Sequence, residues 1–373
     1  MKILLIGMTK NKGGTETFIM NVARALWQRG GVDVFFLDTE DDGIVYKDEI
    51  ISNGGKIINF KIHKGPKGLL YNRKEADYFF KNNNFDIVHV NTSVLRNAFW
   101  AVSAEKNGVK KIFVHAHNSS YGARNFIKKS VYEISGVIYR KKIKTSKIEL
   151  LAASREAGQW MFRGLPFEVI DNGVDTNMYL FSDAKRNLMR EKLSLNSNSI
   201  VVISVARLAY QKNQDKTIDV FSQMIKKRPN EDLLLVGDGE DLLRLKKKVK
   251  DLNIDRRVHF LGHRNDIPNL LSAADIMIFP SRYEGTPYSL MEAQSSGLPI
   301  MASLEAFRQD ENITGDVSLL SLQENDKTWA SAILNLFDNS KQSDRRIANK
   351  KVKNSVYSMD HFTKQIMNLY SLN

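Results

Sequence analysis

The sequence predicts an α/β protein built from two doubly wound, parallel-sheet domains in tandem. Short apolar runs bounded by Gly, Asn or charge alternate with helical patterns through the first half. The alternation pauses after Asp171-Asn172-Gly173-Val174-Asp175, across a polar stretch that lasts to Ser199, and a second series of the same kind then begins. A length of 373 residues suits two such domains.

In the first series, Ile3–Ile6, Val32–Leu37, Ile87–Val90, Lys111–His115, Glu149–Ala153 and Val169–Ile170 read as strands. They are apolar almost throughout, as strands covered by helices on both faces must be. Between the first two, Phe18, Ile19, Val22, Ala23 and Leu26 recur at helical spacing, and Gly30-Gly31 stops the helix. The second series runs through Ile200–Val205, Leu233–Val236, Val258–Leu261, Ile276–Phe279 and Ile300–Ala302. Leu242, Leu245, Val249 and Leu252 form a helical stripe within it. The expected domains are residues 1–177 and 178–358, with the boundary in the region 173–199. A last segment, 359–373, carries a terminal helix at roughly Asp360–Leu372. Open α/β sheets bind ligands at the carboxyl ends of their strands, and two in tandem are expected to face each other across a cleft that holds the ligand.

Composition narrows the chemistry. Zero cysteines exclude disulfides, thiolate metal sites and a Cys nucleophile. The formal charge of +13 favours anionic partners: nucleic acid, an acidic membrane face or phosphate-bearing substrates. Residues 1–182 hold 27 Lys and Arg against 18 Asp and Glu, and the remainder 28 against 24, so most of the excess lies in the first domain. Neither a signal peptide nor a stretch of some 20 apolar residues is present, and a cytoplasmic protein is expected.

The stretch Pro280–Pro299 is the most informative. It follows an apolar strand and opens a helix, with Thr286 read as the N-cap, Pro287 as the first helical residue and Gly297 with Pro299 as the stop. Glu284 then lies in the strand-to-helix loop and Glu292 inside the helix. The amides of Gly285, Thr286, Tyr288 and Ser289 sit at the helix start, where a phosphate or sugar oxygen is favoured. Arg207 and Lys212 follow another buried strand, so both cations reach its carboxyl end. They suit a nucleoside diphosphate leaving group, whose negative charge grows as a glycosidic bond breaks. Gly13-Gly14 follows the first strand and allows close approach of backbone to phosphate. No G-x-G-x-x-G dinucleotide fingerprint occurs in either half.

Glu284 and Glu292, with seven residues between them in EGTPYSLMEAQSSGLP, resemble the paired-glutamate signature of the retaining, nucleotide-sugar-dependent glycosyltransferases of family 4. Other blocks resemble that family in order along nearly the whole chain: GGTETFIMNVARAL, HAHN, DNGVD, ARLAYQKN, LLLVGDGE, VHFLGHRND and AADIMIFPS. The resemblance is strongest to bacterial exopolysaccharide and capsule glycosyltransferases. It implies the GT-B fold, two Rossmann-like domains, with the acceptor on the first and the nucleotide-sugar on the second. It implies that Arg207 and Lys212 bind the donor diphosphate, that Glu284 and the residues Gly285, Thr286, Pro287, Tyr288 and Ser289 hold the sugar, and that Glu292 holds the ribose. Gly262 and His263 join the donor site, and Gly14 closes over the donor phosphate from the opposite domain. His117 lies beside the donor sugar. His117, Glu284, Arg207 and Lys212 are thus the implied catalytic set, and Thr15, Glu16 and Asn118 the implied acceptor contacts. Asn118 stands where many relatives have Asp. Most relatives also carry a Gly-Gly and an acid after the strand ending at Ala302; here SLEAFRQDEN follows, with Glu305 as the substitute. No Asp-x-Asp triplet occurs, which agrees with transfer that needs no metal and no cofactor.

The segment Arg124–Lys147 carries eight basic residues and one acid, interleaved with apolar ones. Two readings stand: a core helix with a basic rim against the anionic inner face of the membrane, useful for a polyprenyl-diphosphate-linked saccharide acceptor, or a buried helix with solvated ends. No nucleic-acid module appears. The rival functions are a nucleotide-sugar epimerase of the same architecture and a non-catalytic protein binding anionic surfaces. The first predicts isomerisation of donor alone, the second salt-sensitive binding to liposomes and indifference to nucleoside diphosphates.

Overall fold

A computed structural model describes residues 1–40, 42–63, 68–119, 126–196, 199–340 and 344–372, with backbone alone for 126–128. The chain divides into two compact units, Met1–Gly173 with Asp360–Asn373, and Val174–Met359.

The first unit holds seven parallel strands: β1 (Lys2–Ile6), β2 (Asp33–Asp38), β3 (Lys56–Asn59), β4 (Ile87–Thr92), β5 (Lys111–Ala116), β6 (Glu149–Ala152) and β7 (Glu168–Val169). Their spatial order is β3-β2-β1-β4-β5-β6-β7. Alternation along β1 explains why nearly all of it is apolar: Leu4 and Ile6 pack on the face with Val88, Val114 and Phe162, leaving Ile3 and Leu5 for the other. The helix Gly14–Arg29 ends where expected, at Gly30 with φ 76°.

The terminal helix, Met359–Tyr370, completes this unit. Phe362 meets Phe18 edge-on at 5.5 Å, and Tyr370 stacks on Phe113 at 5.6 Å. Arg29 Nε donates to the Leu372 carbonyl at 2.7 Å, fixing the chain end.

The second unit carries six parallel strands: β8 (Val201–Val205), β9 (Asp232–Val236), β10 (Val258–Gly262), β11 (Ile276–Phe279), β12 (Ile300–Ser303) and β13 (Val317–Leu320). They run in the order β10-β9-β8-β11-β12-β13. The polar stretch after Val174 belongs wholly to this unit and contains a helix, Asp183–Lys192, capped by the Ser182 hydroxyl. Its arginines close over Asp275, with Arg186 at 2.6 Å and Arg190 at 2.5 Å, while the Val201 amide donates to the same carboxylate at 2.7 Å.

Two strands escaped the sequence reading. β3 and β13 are four-residue edge strands, only half buried, so their apolar signal is too short to stand out from the flanking loops. Both sheets reverse strand order once, between β1 and β4 and between β8 and β11. Such switch points open a crevice at the carboxyl ends of the two central strands.

Candidate functional site

In the second unit, the switch point is occupied by residues the sequence singled out. The loop after β8 contains the short turn Tyr210–Lys212, and the loop after β11 contains Glu284. Lys212 Nζ donates to Glu284 Oε1 at 2.6 Å, with the two side chains 20% and 6% exposed. Gln211 Nε2 donates to the other carboxylate oxygen at 3.2 Å and to the Tyr283 carbonyl at 2.9 Å. Arg282 ties the same two loops together. Its amide donates to the Gln211 carbonyl at 2.8 Å, its guanidinium donates to Asn213 Oδ1 at 2.8 Å, and the head lies 4.5 Å from the Tyr210 ring centroid. An acid and an ammonium are thus held side by side at the carboxyl ends of β8 and β11.

Arg207 is placed differently from Lys212. Its side chain is exposed and pairs with Glu240 at 3.1 Å, on the loop after β9. That loop is pressed onto the end of β8: a Cβ on Gly237 (φ 129°) would lie 2.1 Å from the Ala206 carbonyl oxygen. Gly237 also donates to the Gly262 carbonyl at 2.8 Å, which draws the end of β10 into the same rim. Gly262 itself has φ 62° and open space where a Cβ would stand, and His263 next to it is exposed.

The helix after β11 begins one residue later than its sequence suggests. It spans Tyr288–Ser295, with Pro287 as N-cap. Thr286 does not cap it, because its hydroxyl donates instead to Glu311 Oε1 at 3.4 Å. Gly285 and Ser289 are half buried beside it, and Glu292 lies in its second turn. Glu305, the expected stand-in for the acid after β12, is engaged elsewhere: its carboxylate accepts from the Ser321 hydroxyl at 2.8 Å and the Leu322 amide at 2.9 Å.

In the first unit, a cavity of about 870 Å³ opens at the ends of β1 and β4. Thr9, Thr15, Glu16, Asn91 and Thr92 give it a polar side, and Leu69, Phe99, Trp100 and Val131 an apolar one. Gly14 begins the helix from which Thr15 and Glu16 project. The Glu16 carboxyl is buried, and burial holds its pKa above the usual range despite a 2.6 Å hydrogen bond donated by Thr9. Asn118 donates to Ser93 Oγ at 3.0 Å, on the cavity wall.

His117 belongs to an arrangement that its motif does not reveal. His89, His115 and His117 form a stack, the first two buried and the third half-buried, with centroids 5.4 Å apart for the first pair and 4.3 Å for the second, and Phe18 edge-on to all three. His89 bonds Tyr370 at 2.6 Å on one side and His115 at 3.2 Å on the other. Burial pushes the pKa values of His89 and His117 down to about 3, and that of His115 well below its ordinary value, so all three rings are neutral at pH 7. Asn91 Oδ1 accepts from His117 Nε2 at 2.9 Å while its amide nitrogen donates to the Ile6 carbonyl at 3.3 Å. That orientation requires the His117 proton on Nε2 and leaves Nδ1 as an acceptor.

Sequence reasoning passed over Gln211, Asn91 and Trp100. Gln211 adjoins Lys212, and Asn91 ends a strand, but side-chain amides carry no spacing signal of their own. Among the described residues no group of three or more His, Asp or Glu is arranged to hold a metal ion, and no helix is long and apolar enough to cross a membrane.

Comparison with known proteins places these sites in context. Residues 12–178 match the family described as Glycosyltransferase Family 4, and residues 185–353 the family described as Glycosyl transferases group 1. EpsF of Bacillus subtilis is 28% identical over 88% of this chain and 85% of its own length. An Escherichia coli UDP-Gal:alpha-D-GlcNAc-diphosphoundecaprenol alpha-1,3-galactosyltransferase is 32% identical over 66% of this chain and 63% of its own length. Among solved structures, Anabaena Alr3699/HepE in complex with UDP-glucose superposes with a TM-score of 0.80 at 21% identity, covering 100% of this chain and 99% of that one. WaaG, a glycosyltransferase involved in lipopolysaccharide biosynthesis, gives 0.76 at 15% identity, covering 98% and 99%.

Proposed function

Because the chain belongs to the group 1 and family 4 glycosyltransferases, we propose that it moves a hexose, with retention of configuration, from a nucleotide-diphosphate sugar to a lipid-linked saccharide in bacterial exopolysaccharide or capsule synthesis. The observation that carries the donor half is the Lys212–Glu284 pair at the switch point of the second sheet. In this reading Lys212 and Arg207 neutralise the diphosphate as the bond from sugar C1 to the phosphate oxygen breaks. Glu284, with the residues Gly285 to Ser289, holds the sugar hydroxyls, Glu292 the ribose, and Gly262 and His263 complete the rim. A UDP-sugar is favoured by the Escherichia coli relative's donor and by the UDP-glucose complex of HepE.

The first unit takes the acceptor in its cavity, through Thr15 and Glu16, with Asn118 behind the wall at Ser93. His117 offers a neutral Nδ1 to a sugar hydroxyl, and Gly14 gives a phosphate close access to backbone. The acceptor oxygen attacks C1 on the face the nucleotide leaves, and a leaving-phosphate oxygen takes its proton. Products are the α-linked saccharide from an α-linked donor and the nucleoside diphosphate. Neither metal nor cofactor takes part, and the enzyme works at the cytoplasmic face of the membrane.

The test incubates the full chain, in EDTA, with UDP-glucose or UDP-galactose and a synthetic lipid-diphosphate GlcNAc. A product whose anomeric proton retains the donor's small coupling supports the reading. Inversion, strict metal dependence, or isomerised donor without transfer would overturn it.

A further inference from the structure

We infer that Arg96, in the field of Arg73 and Lys142, is an anion subsite at the cavity of the first unit, and that it reads a phosphate group attached to an apolar chain. The inference deepens the reading of this unit as the acceptor-binding one, and rests on it. Arg96 lies on the turn Leu95–Ala98 that follows β4, and lines the cavity next to Phe99, Trp100 and Val131. Its guanidinium sits over the Tyr132 ring at 5.4 Å, which orients the fork without consuming its charge. Lys142 lies over Tyr139 at 5.5 Å on the same helix, Phe126–Lys144.

No ion pair or side-chain hydrogen bond of Arg73 or Arg96 is found among the described residues. Asp77, which acts on both Arg73 and Lys142, also pairs with Lys106 at 2.6 Å, so one carboxylate is shared among three cations. The charges of Arg73 and Arg96 both act on the Tyr139 hydroxyl. Burial and then Arg73 hold the Lys142 ammonium below its usual range, against Asp77. Like charges that outnumber the acid among them cost energy that an incoming anion recovers.

The surroundings define what the anion is attached to. On one side of Arg96 the cavity presents hydroxyls, amides and a carboxyl, suited to sugar. On the other, Val131 begins an exposed strip that continues through Ile134, Val137 and Ile138, with Lys141 and Lys144 beyond. Arg96 thus stands at the change from polar to apolar surface, where a saccharide-phosphate-lipid has its phosphate. In the described part of the basic segment Tyr139 and Ile143 are buried, while Val131, Ile134, Val137 and Ile138 are exposed together with Lys141 and Lys144. Arg124, Asn125 and the side chains of Phe126 and Ile127 lie outside the described residues.

The test titrates the full chain, saturated with UDP, with geranyl diphosphate, geraniol and inorganic pyrophosphate, followed by tryptophan fluorescence. Geranyl diphosphate is expected to bind at least tenfold more tightly than either of the others. Arg96→Gln should erase most of that preference, and Arg96→Lys should restore it to within about threefold, with UDP affinity unchanged in both. A preference that survives R96Q, or equal binding of the alcohol or of pyrophosphate by the wild type, overturns the assignment. Sedimentation with phosphatidylglycerol vesicles separates the other source of phosphate: loss of vesicle binding in R96Q with the geranyl diphosphate preference intact would assign the cations to bilayer headgroups and refute an acceptor subsite. Failure of the wild type to bind UDP would instead strike the transferase reading.

Discussion

Lys212 and Glu284 should be energetically coupled before any ligand arrives, and a double-mutant cycle measures this. The variants are Lys212→Met, Glu284→Gln and the two combined, which change charge with little change in volume. Two unit charges about 4 Å apart attract by roughly 4 kcal/mol at an effective dielectric near 20. Desolvation offsets much of this, since Glu284 is 6% exposed and Lys212 20%. Each single change strands the other charge in a partly dry site and should cost about 2 kcal/mol, with a coupling of about 1–3 kcal/mol. For a unit of this size that lowers the midpoint of thermal unfolding by about 4–8 °C, and the double variant should lie above the sum of the singles. Adding UDP extends the experiment. Wild type should gain several degrees, Lys212→Met little, and Glu284→Gln nearly the wild-type amount with UDP but no further gain with the sugar attached. Losses that simply add in the double variant, or a full UDP response from Lys212→Met, would refute the claim that this pair is a preformed half of the donor site.

Three further outcomes are expected. Because burial lowers the folded-state pKa values of His89 and His117 to about 3, the stability of the first unit should be full above about pH 6.5 and fall by about 1.4 kcal/mol per pH unit for each of these two imidazoles as pH drops toward 3, with the lowered His115 adding to the loss; amide exchange in β5, corrected for intrinsic rates, should show it, and equal protection at pH 7.5 and 5 would contradict it. Asp275→Asn strands the buried Arg190 guanidinium and should cost about 3–5 kcal/mol in urea unfolding of the second unit, so a change under 1 kcal/mol would show the cluster to be dispensable. Gly237→Ala meets both an unfavourable φ and the Ala206 carbonyl, and should cost about 2–4 kcal/mol while weakening UDP binding; unaltered calorimetric titration with UDP would detach this turn from the site.

The parallel architecture was legible because strands covered on both faces leave long apolar runs, and β1, β5, β8 and β11 are such runs. β3 and β13, half exposed at the sheet edges, leave none. Glu284 and Lys212 were legible as members of motifs, and their meeting follows from topology: residues after β8 and after β11 must converge once those strands are neighbours. Arg207 illustrates the limit. Its position after a buried strand does not determine its direction, and the side chain turns to Glu240 instead of the acid. The helix start at Tyr288 was misjudged because Thr286 has a better partner in Glu311, far along the sequence. The histidine stack was invisible for the same reason. His89 is distant from His115 in sequence, and only the pairing of β4 with β5, which sets Phe113 opposite His89 and His115 two residues further along, brings the two rings together.

The placement of the terminal helix on the first unit bears on how the protein is made. A nascent chain that has emerged as far as residue 358 contains every residue of the second unit's sheet, yet its first unit still shows Phe18, His89 and Phe113 to water. The half synthesised first is therefore completed only after the second unit has been made, waiting on Phe362 and Tyr370. Until they dock, the unfinished apolar face is what a ribosome-bound chaperone would meet.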